Sequence, residues 1–249
     1  MDYNPYTLLG KTILVTGASS GIGRETSIEI SKLGANVVLT ARTEESLKET
    51  LSMLTGTTHQ TITADLSSED DIQNLVNLCP KIDGLVNNAG ISTSKPIAFY
   101  TTNEIDKVFV ANTFAPMLLI RSLLKKKKIN EGASIVFTSS VASICSSIGN
   151  GIYGASKAAL TAYMKYCARE LAPKGIRATA VHPGMVETKL IHGGAISEEN
   201  LSEDVKNYPL GRYGKPKEIA LAITFLLSDA SAWTTGVSLF VDGGYTLIK

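Results

Sequence analysis

Cysteine is scarce in this chain: three in 249 residues, Cys79, Cys145 and Cys167, widely spaced. That excludes a disulfide framework and a cysteine-based zinc site, which need several cysteines at set spacings. They read as free thiols, buried or half-buried, in a cytoplasmic protein. The histidines, His59, His182 and His192, show no ligand spacing either, so no metal site is expected. Net charge is nearly absent: 24 Lys and Arg oppose 23 Asp and Glu. A general nucleic-acid binder needs an excess of cations, so nucleic acid is not an expected partner. No apolar run reaches the ~20 residues that cross a bilayer, so no membrane partner is expected. The opening MDYNPYTLLGK lacks a basic segment followed by an apolar core and does not read as a signal peptide. Internal repeats and low-complexity linkers are missing too.

What is present is a chain 44% hydrophobic and 19% charged, which supports one sizeable α/β core over residues 1–249. Short β-branched runs alternate with longer helical patterns. Strands are predicted at 12–16, 36–41, 60–64, 82–87, 134–139, 177–182 and 237–242. Helices are predicted after the first strand up to Gly34, then over 44–54, 68–79, roughly 101–128, 152–172 and 216–228. Apolar runs separated by helices imply parallel strands covered on both faces, a doubly wound sheet. The segment 184–214 fits no element and reads as a substrate loop or lid, with SEENLSEDVKNY a short helix inside it.

TGASSGIG, Thr16 to Gly23, follows the first strand and opens the first helix. Backbone N–H groups at such a helix start favour a pyrophosphate, and Gly17, Gly21 and Gly23 let the backbone approach it. The spacing differs from G-x-G-x-x-G, so a merely glycine-rich turn is the alternative. About twenty residues on, a dinucleotide site often carries an acid for the ribose 2′-hydroxyl. Here stands Arg42, which suits a 2′-phosphate and favours NADP(H), with NAD(H) as the alternative. A solvated arginine at a strand end is the plainer reading. Asp65, after the third strand, can accept from an adenine amino group. NNAG, Asn87 to Gly90, ends the fourth strand at the same edge. By themselves these are turn residues. In IYGASKAAL, Tyr153 and Lys157 lie one helical turn apart on one face, a phenol beside an ammonium.

TGASSGIG, NNAG, Asn112, Ser139-Ser140, YGASK, HPG and the closing LLSDASAWTTGVSLFVDGG stand in order along nearly the whole chain. In this the chain resembles the short-chain dehydrogenase/reductase family, and within it the β-ketoacyl-ACP reductase branch. The resemblance implies a Rossmann-type α/β/α sandwich with seven parallel strands ordered 3-2-1-4-5-6-7. It also implies a nicotinamide cofactor and a homotetramer or homodimer. The family's catalytic set falls on Asn112, Ser140, Tyr153 and Lys157. Its serine stands thirteen residues before the tyrosine, which selects Ser140 over Ser139. The cofactor set expected on this resemblance takes in Gly17, Ser19, Ser20, Gly21, Ile22 and Gly23 in the turn, then Arg42, Asp65 and Leu66. It continues with Asn88, Ala89 and Gly90, with Tyr153 and Lys157, and with Pro183, Gly184, Val186 and Thr188 at the nicotinamide end.

A free phenol has a pKa near ~10, and a nearby ammonium lowers it toward neutral proton exchange. Ser140 would hydrogen-bond the substrate oxygen. In family members the lysine also holds the ribose, and the asparagine holds a water that relays protons to it. Pro116 should disturb the helix near Asn112 and free backbone groups for that water. His182 and His192 are placed where they could line a substrate pocket. The run Lys125–Lys128 reads as a solvated helix end; the alternative is a dock for an acidic acyl carrier, together with Lys174. Phe109, Phe114, Leu118 and Leu119 offer apolar surface for a subunit contact. The reaction expected is NADPH-dependent reduction of a carbonyl, with a 3-oxoacyl thioester first and a sugar, steroid or other small alcohol or ketone as the alternative. A non-catalytic cofactor-binding regulator is disfavoured, since all four catalytic positions are filled.

Overall fold

The computed structural model describes residues 3–188 and 203–247. Its seven strands are β1 (Thr12–Thr16), β2 (Asn36–Ala41), β3 (Gln60–Thr63), β4 (Ile82–Asn87), β5 (Ile129–Thr138), β6 (Arg177–Pro183) and β7 (Ser238–Val241). They form one parallel sheet in the order β3-β2-β1-β4-β5-β6-β7, as the resemblance implied. The helices are α1 (Gly21–Lys32), α2 (Glu44–Leu51), α3 (Glu69–Leu78), α4 (Thr102–Phe109), α5 (Ala115–Lys125), α6 (Gly151–Leu171) and α7 (Pro216–Leu227).

Strand alternation sorts the apolar side chains into two layers. Leu14, Val38, Leu85, Ile135 and Phe137 point to one face, against Leu75 of α3, Leu119 of α5 and Leu160 and Met164 of α6. Ile13, Val15, Val37, Leu39 and Val136 point to the other, against Ile30 of α1, Leu47 of α2 and Ile219 and Ile223 of α7. This is the three-layer Rossmann-type fold. Strand order reverses at β1, which pairs with β2 on one side and β4 on the other. The crevice beyond the carboxyl ends of β1 and β4 is where such sheets bind ligands.

The expected single helix over 101–128 is instead three pieces. Between α4 and α5 the chain widens into a π-helical turn, Val110–Phe114. Pro116 has no N–H, so the carbonyl of Asn112 loses its α-helical donor, and Ala115 N–H reaches back to Val110 instead. The disturbance expected from Pro116 is present, and it falls on Asn112. By length and composition the continuous run Thr102–Lys125 would suffice to cross a bilayer, contrary to the reading that no such run exists. Half of its most apolar 18-residue stretch is buried in the protein, and Leu119 and Leu123 join the core. Leu119 is therefore core rather than subunit surface, while Phe114 is 49% exposed. β5 begins at Ile129, earlier than predicted, because its first residues are polar and pair irregularly with β4.

Residues 189–202 of the expected lid, with His192 and the start of the SEENLSEDVKNY helix, lie outside the described residues. Its stalk is defined: Glu187 N–H donates to Gly214 O and Gly214 N–H to Met185 O, both at 2.9 Å.

Candidate active site

The turn after β1 brings backbone unusually close to backbone. Gly17 has φ +64°, a conformation that costs other residues energy. A Cβ on Gly23 would stand 2.3 Å from the Gly17 carbonyl and 2.6 Å from Asn88 Nδ2, so only glycine fits. Thr16 ties this turn to the one after β4: its hydroxyl accepts the N–H groups of Asn88 (2.9 Å) and Ala89 (3.0 Å). Asn88 Nδ2 returns a bond to the Thr16 carbonyl at 3.1 Å. Ser20 precedes α1 with extended backbone and makes no side-chain cap, and the first turn carries no acid. The start of α1 therefore offers N–H groups and positive dipole to an anion. Ser19 and the half-buried Ile22 lie in the same turn. Across the groove, Thr188 stands against Gly21: a Cβ there would meet its methyl at 3.3 Å.

Arg24 was not anticipated from the sequence. Its Nη2 donates to the Ser19 carbonyl at 2.6 Å, and both guanidinium arms reach Glu49 at 2.8 Å. It braces the turn from behind, and nothing in the local pattern distinguishes it from a solvated helix arginine.

Arg42 is exposed at the end of β2. Asp65 is held below its usual carboxylate range first by the Ser67 N–H and hydroxyl, then by the Arg42 charge. Both Ser67 bonds fall on Asp65 Oδ1, leaving Oδ2 for another donor. Leu66 packs partly against the core. Arg42, Asp65 and the turn thus share one edge of the sheet.

The second cluster gathers around α6. Lys157 is buried, its ammonium donating to the Thr138 carbonyl at 2.8 Å and lying 5.8 Å from the Tyr153 ring centroid. Burial pushes its pKa down to about 8. Burial raises the Tyr153 phenol, and a hydrogen bond with the Ser140 side chain opposes that. In the protein by itself, burial outweighs the lowering expected for Tyr153. The neighbouring serines divide their work. Ser139 is buried and bonds the Lys157 carbonyl (3.2 Å) and Thr161 (2.8 Å). Ser140, at the mouth, accepts Ala142 N–H at 3.1 Å and meets Tyr153.

Asn112 is fully buried, and its amide is spent on Ile91 and on Ser156 Oγ. Its carbonyl is the group that Pro116 leaves without an α-helical donor. Gly90 lies over this cluster: a Cβ there would stand 2.9 Å from Asn112 Oδ1 and 3.4 Å from Lys157 Nζ. The four residues expected to act together, Asn112, Ser140, Tyr153 and Lys157, do converge at one end of the sheet.

Pro183 ends β6, and Gly184 N–H donates to Val241 O at 3.2 Å. Val186 forms a single bridge with Gly214 through its neighbours, so its own N–H and carbonyl point away from Gly214. Tyr208, also unanticipated, clamps this stretch: its hydroxyl accepts Met185 N–H at 3.0 Å. It lies far along the chain from the motif it holds, where local pattern gives no signal.

These features fit a nicotinamide dinucleotide: a cradle that a Cβ would fill, an uncapped helix start and a buried ammonium aligned along one crevice. The run Lys125–Lys128 is elsewhere. It precedes β5, and with Lys81 and Lys174 it stands at the amino edge of the sheet. Lys128 is partly buried and spent on the carbonyl of Cys79 at 2.5 Å.

A family model described as enoyl-(acyl carrier protein) reductase matches residues 17–246. The chain is 34% identical to the 3-oxoacyl-(acyl-carrier-protein) reductase of Rickettsia felis, covering 97% of this chain and 99% of that one. It is 36% identical to the L-xylulose reductase of Caenorhabditis elegans, covering 97% and 98%. A solved short-chain dehydrogenase/reductase family protein superposes with TM-score 0.85 at 31% identity, covering 96% of this chain and 99% of that one. A structure of a proposed NAD(P)-dependent gluconate 5-dehydrogenase from Beutenbergia cavernae, with NADP bound at low occupancy, gives TM-score 0.89 at 30% identity. That match covers 98% of this chain and 100% of the other.

Proposed function

The chain belongs to the short-chain dehydrogenase/reductase family of oxidoreductases acting on CH–OH groups, and we propose that it reduces a carbonyl to an alcohol at the expense of NADPH. The observation that carries this reading is the buried Lys157 ammonium 5.8 Å from the Tyr153 ring centroid, one helical turn along α6, with the Ser140 side chain acting on the phenol.

The bound nicotinamide would supply a hydride to the carbonyl carbon. The chain's own residues handle the oxygen. Ser140 orients it and stabilises its developing charge. Tyr153 gives it a proton. Its phenol is raised by burial, so it starts protonated at neutral pH, as a proton donor must. Lys157 lies near enough to favour the phenolate left behind. The Asn112 carbonyl, without an α-helical donor, holds the water that returns a proton through Lys157. Gly17, Ser19, Ser20, Gly21, Ile22, Gly23, Asn88, Ala89 and Gly90 would line the dinucleotide, with Asp65 and Leu66 at the adenine. Pro183, Gly184, Val186 and Thr188 would hold the carboxamide end. Arg42 supports NADPH over NADH.

The substrate class we favour is a 3-oxoacyl thioester, supported by the relatives that carry that name. A sugar or polyol is the second reading, supported by the L-xylulose reductase and glucose 1-dehydrogenase relatives. The lysine run adds no support for a carrier serving this chain's own site. It and the cleft lie at opposite ends of β5, ten residues long and so ~30 Å apart. The fully exposed Trp233 and half-exposed Phe114 support a homodimer or homotetramer. The three free thiols support a cytoplasmic location.

The test is NADPH consumption by the purified protein with a short 3-oxoacyl thioester and with L-xylulose, NADH run in parallel. Tyr153→Phe should cut turnover at least ~100-fold and spare NADPH binding. Full turnover by Tyr153→Phe would sink the mechanism.

A further inference from the structure

His182 is buried at the end of β6, opposite Phe240 of β7 in the sheet register, their ring centroids 4.8 Å apart. Its Nδ1 lies 3.1 Å from the Ser140 carbonyl and 3.1 Å from Ser143 Oγ. A carbonyl oxygen only accepts, so Nδ1 carries the proton. Ser143 spends its own hydroxyl proton on the same Ser140 carbonyl at 2.7 Å, which leaves its oxygen free to accept from the ring. The tautomer is thereby determined, and Nε2 becomes a lone pair buried without a partner. An orphaned buried acceptor is unfavourable, since it gives up its water and gains no partner. A phenylalanine would fill the space without that cost, so this position is not optimised for packing alone.

We propose that His182 is a positioning residue: its Nδ1–H clamps the Ser140 carbonyl and sets where the Ser140 hydroxyl meets the substrate oxygen and Tyr153. Ser140 stands at the start of a short turn, Val141–Ser143, which ties back to it through the Ala142 N–H on its hydroxyl and through the Ser143 N–H (3.0 Å) and hydroxyl on its carbonyl. The ring is the one contact from outside that turn on the Ser140 backbone carbonyl among the described residues. A second proton would have to go on Nε2, where it finds no acceptor. The charged groups acting on the ring are Lys157 and Lys165 of α6, which repel a cation; Ser140, Ser143 and Phe240 on the other sides bring no charge. Burial first, then these ammoniums, hold the ring below the usual imidazole range, against the Ser140 carbonyl, which raises it.

This rests on the reading of Ser140 as the group that holds the substrate oxygen, and the test separates the two. His182→Phe keeps the ring contact with Phe240 and removes both nitrogens. With whichever carbonyl the wild type reduces, kcat should fall about 10-fold or more, with NADPH affinity and melting temperature kept. His182→Asn returns an amide donor near the Nδ1 position and should restore most of kcat. Nitrogen NMR of the wild type without cofactor should show the ring protonated at Nδ1 at neutral pH. Unchanged kcat in His182→Phe, an Nε2–H tautomer, or parallel loss of kcat, NADPH affinity and melting temperature in both variants would each overturn the proposal. A wild type inactive on every carbonyl would instead sink the functional reading, while the tautomer still reports on the clamp.

Discussion

Asn112 clasps Ile91 with both ends of its amide: Oδ1 accepts the Ile91 N–H at 2.8 Å, and Nδ2 donates to the Ile91 carbonyl at 2.9 Å. The clasp joins the π-helical turn to the loop that carries Ala89 and Gly90. Asn112→Ala would leave both Ile91 backbone groups and Ser156 Oγ short of a partner in a buried place. We expect a loss of about 2–4 kcal/mol by urea denaturation and weaker NADPH binding through the loosened loop. A loss under ~1 kcal/mol would show that water replaces the amide.

Arg42 is exposed, so its value depends on the ligand it meets. Arg42→Ala should weaken NADPH binding about 10- to 100-fold, the size of a charge-assisted contact, and leave NADH almost unchanged. Added salt should shrink the difference between NADPH and NADH in the wild type. Fluorescence titration of both cofactors checks this. Equal losses for the two would place Arg42 away from the 2′-phosphate.

Lys157 makes stability depend on alkaline pH. Its folded pKa, about 8, lies below the ordinary lysine value of 10.5. Between these values the unfolded chain holds a proton that the folded chain has released, so this group raises stability as pH rises from about 8 to about 10.5. Its contribution is fully present above that window and lost as pH falls through about 8. At neutral pH the buried ammonium costs on the order of 3 kcal/mol. Lys157→Met removes that cost but strips the Thr138 carbonyl of a donor, at roughly 1–2 kcal/mol. The cofactor-free variant should therefore be more stable than wild type at pH 7 by about 1–2 kcal/mol. The gap should narrow with rising pH, and turnover should be nearly lost. Equal stability profiles would show that the ammonium is solvated.

The strands β1, β2 and β4 stand where the pattern of their residues put them, because each is apolar on both faces and bounded by turn residues. Tyr153, Lys157 and Ser140 were legible for a different reason: their spacing is short-range or matched a family interval. The first half of β5 was not, since its Asn, Glu and Gly break the apolar run. Arg24, Tyr208 and His182 were passed over as site-building residues because each acts on a group distant in the chain, and no local period marks such a contact.

By itself the sequence determined the alternation of strand and helix, and with it the doubly wound sheet, since buried parallel strands require β-branched runs and crossover helices. It also determined the glycine positions in the first turn, where only a residue without Cβ fits, and the break near Asn112, because a proline has no N–H to give. Tertiary structure alone decided what Ser139 braces, the Lys157 carbonyl and the Thr161 hydroxyl. It also placed the lysine run at the far edge of the sheet and set the tautomer of His182. Those depend on what lies across the sheet from each residue, and that neighbour is chosen by packing rather than by order along the chain.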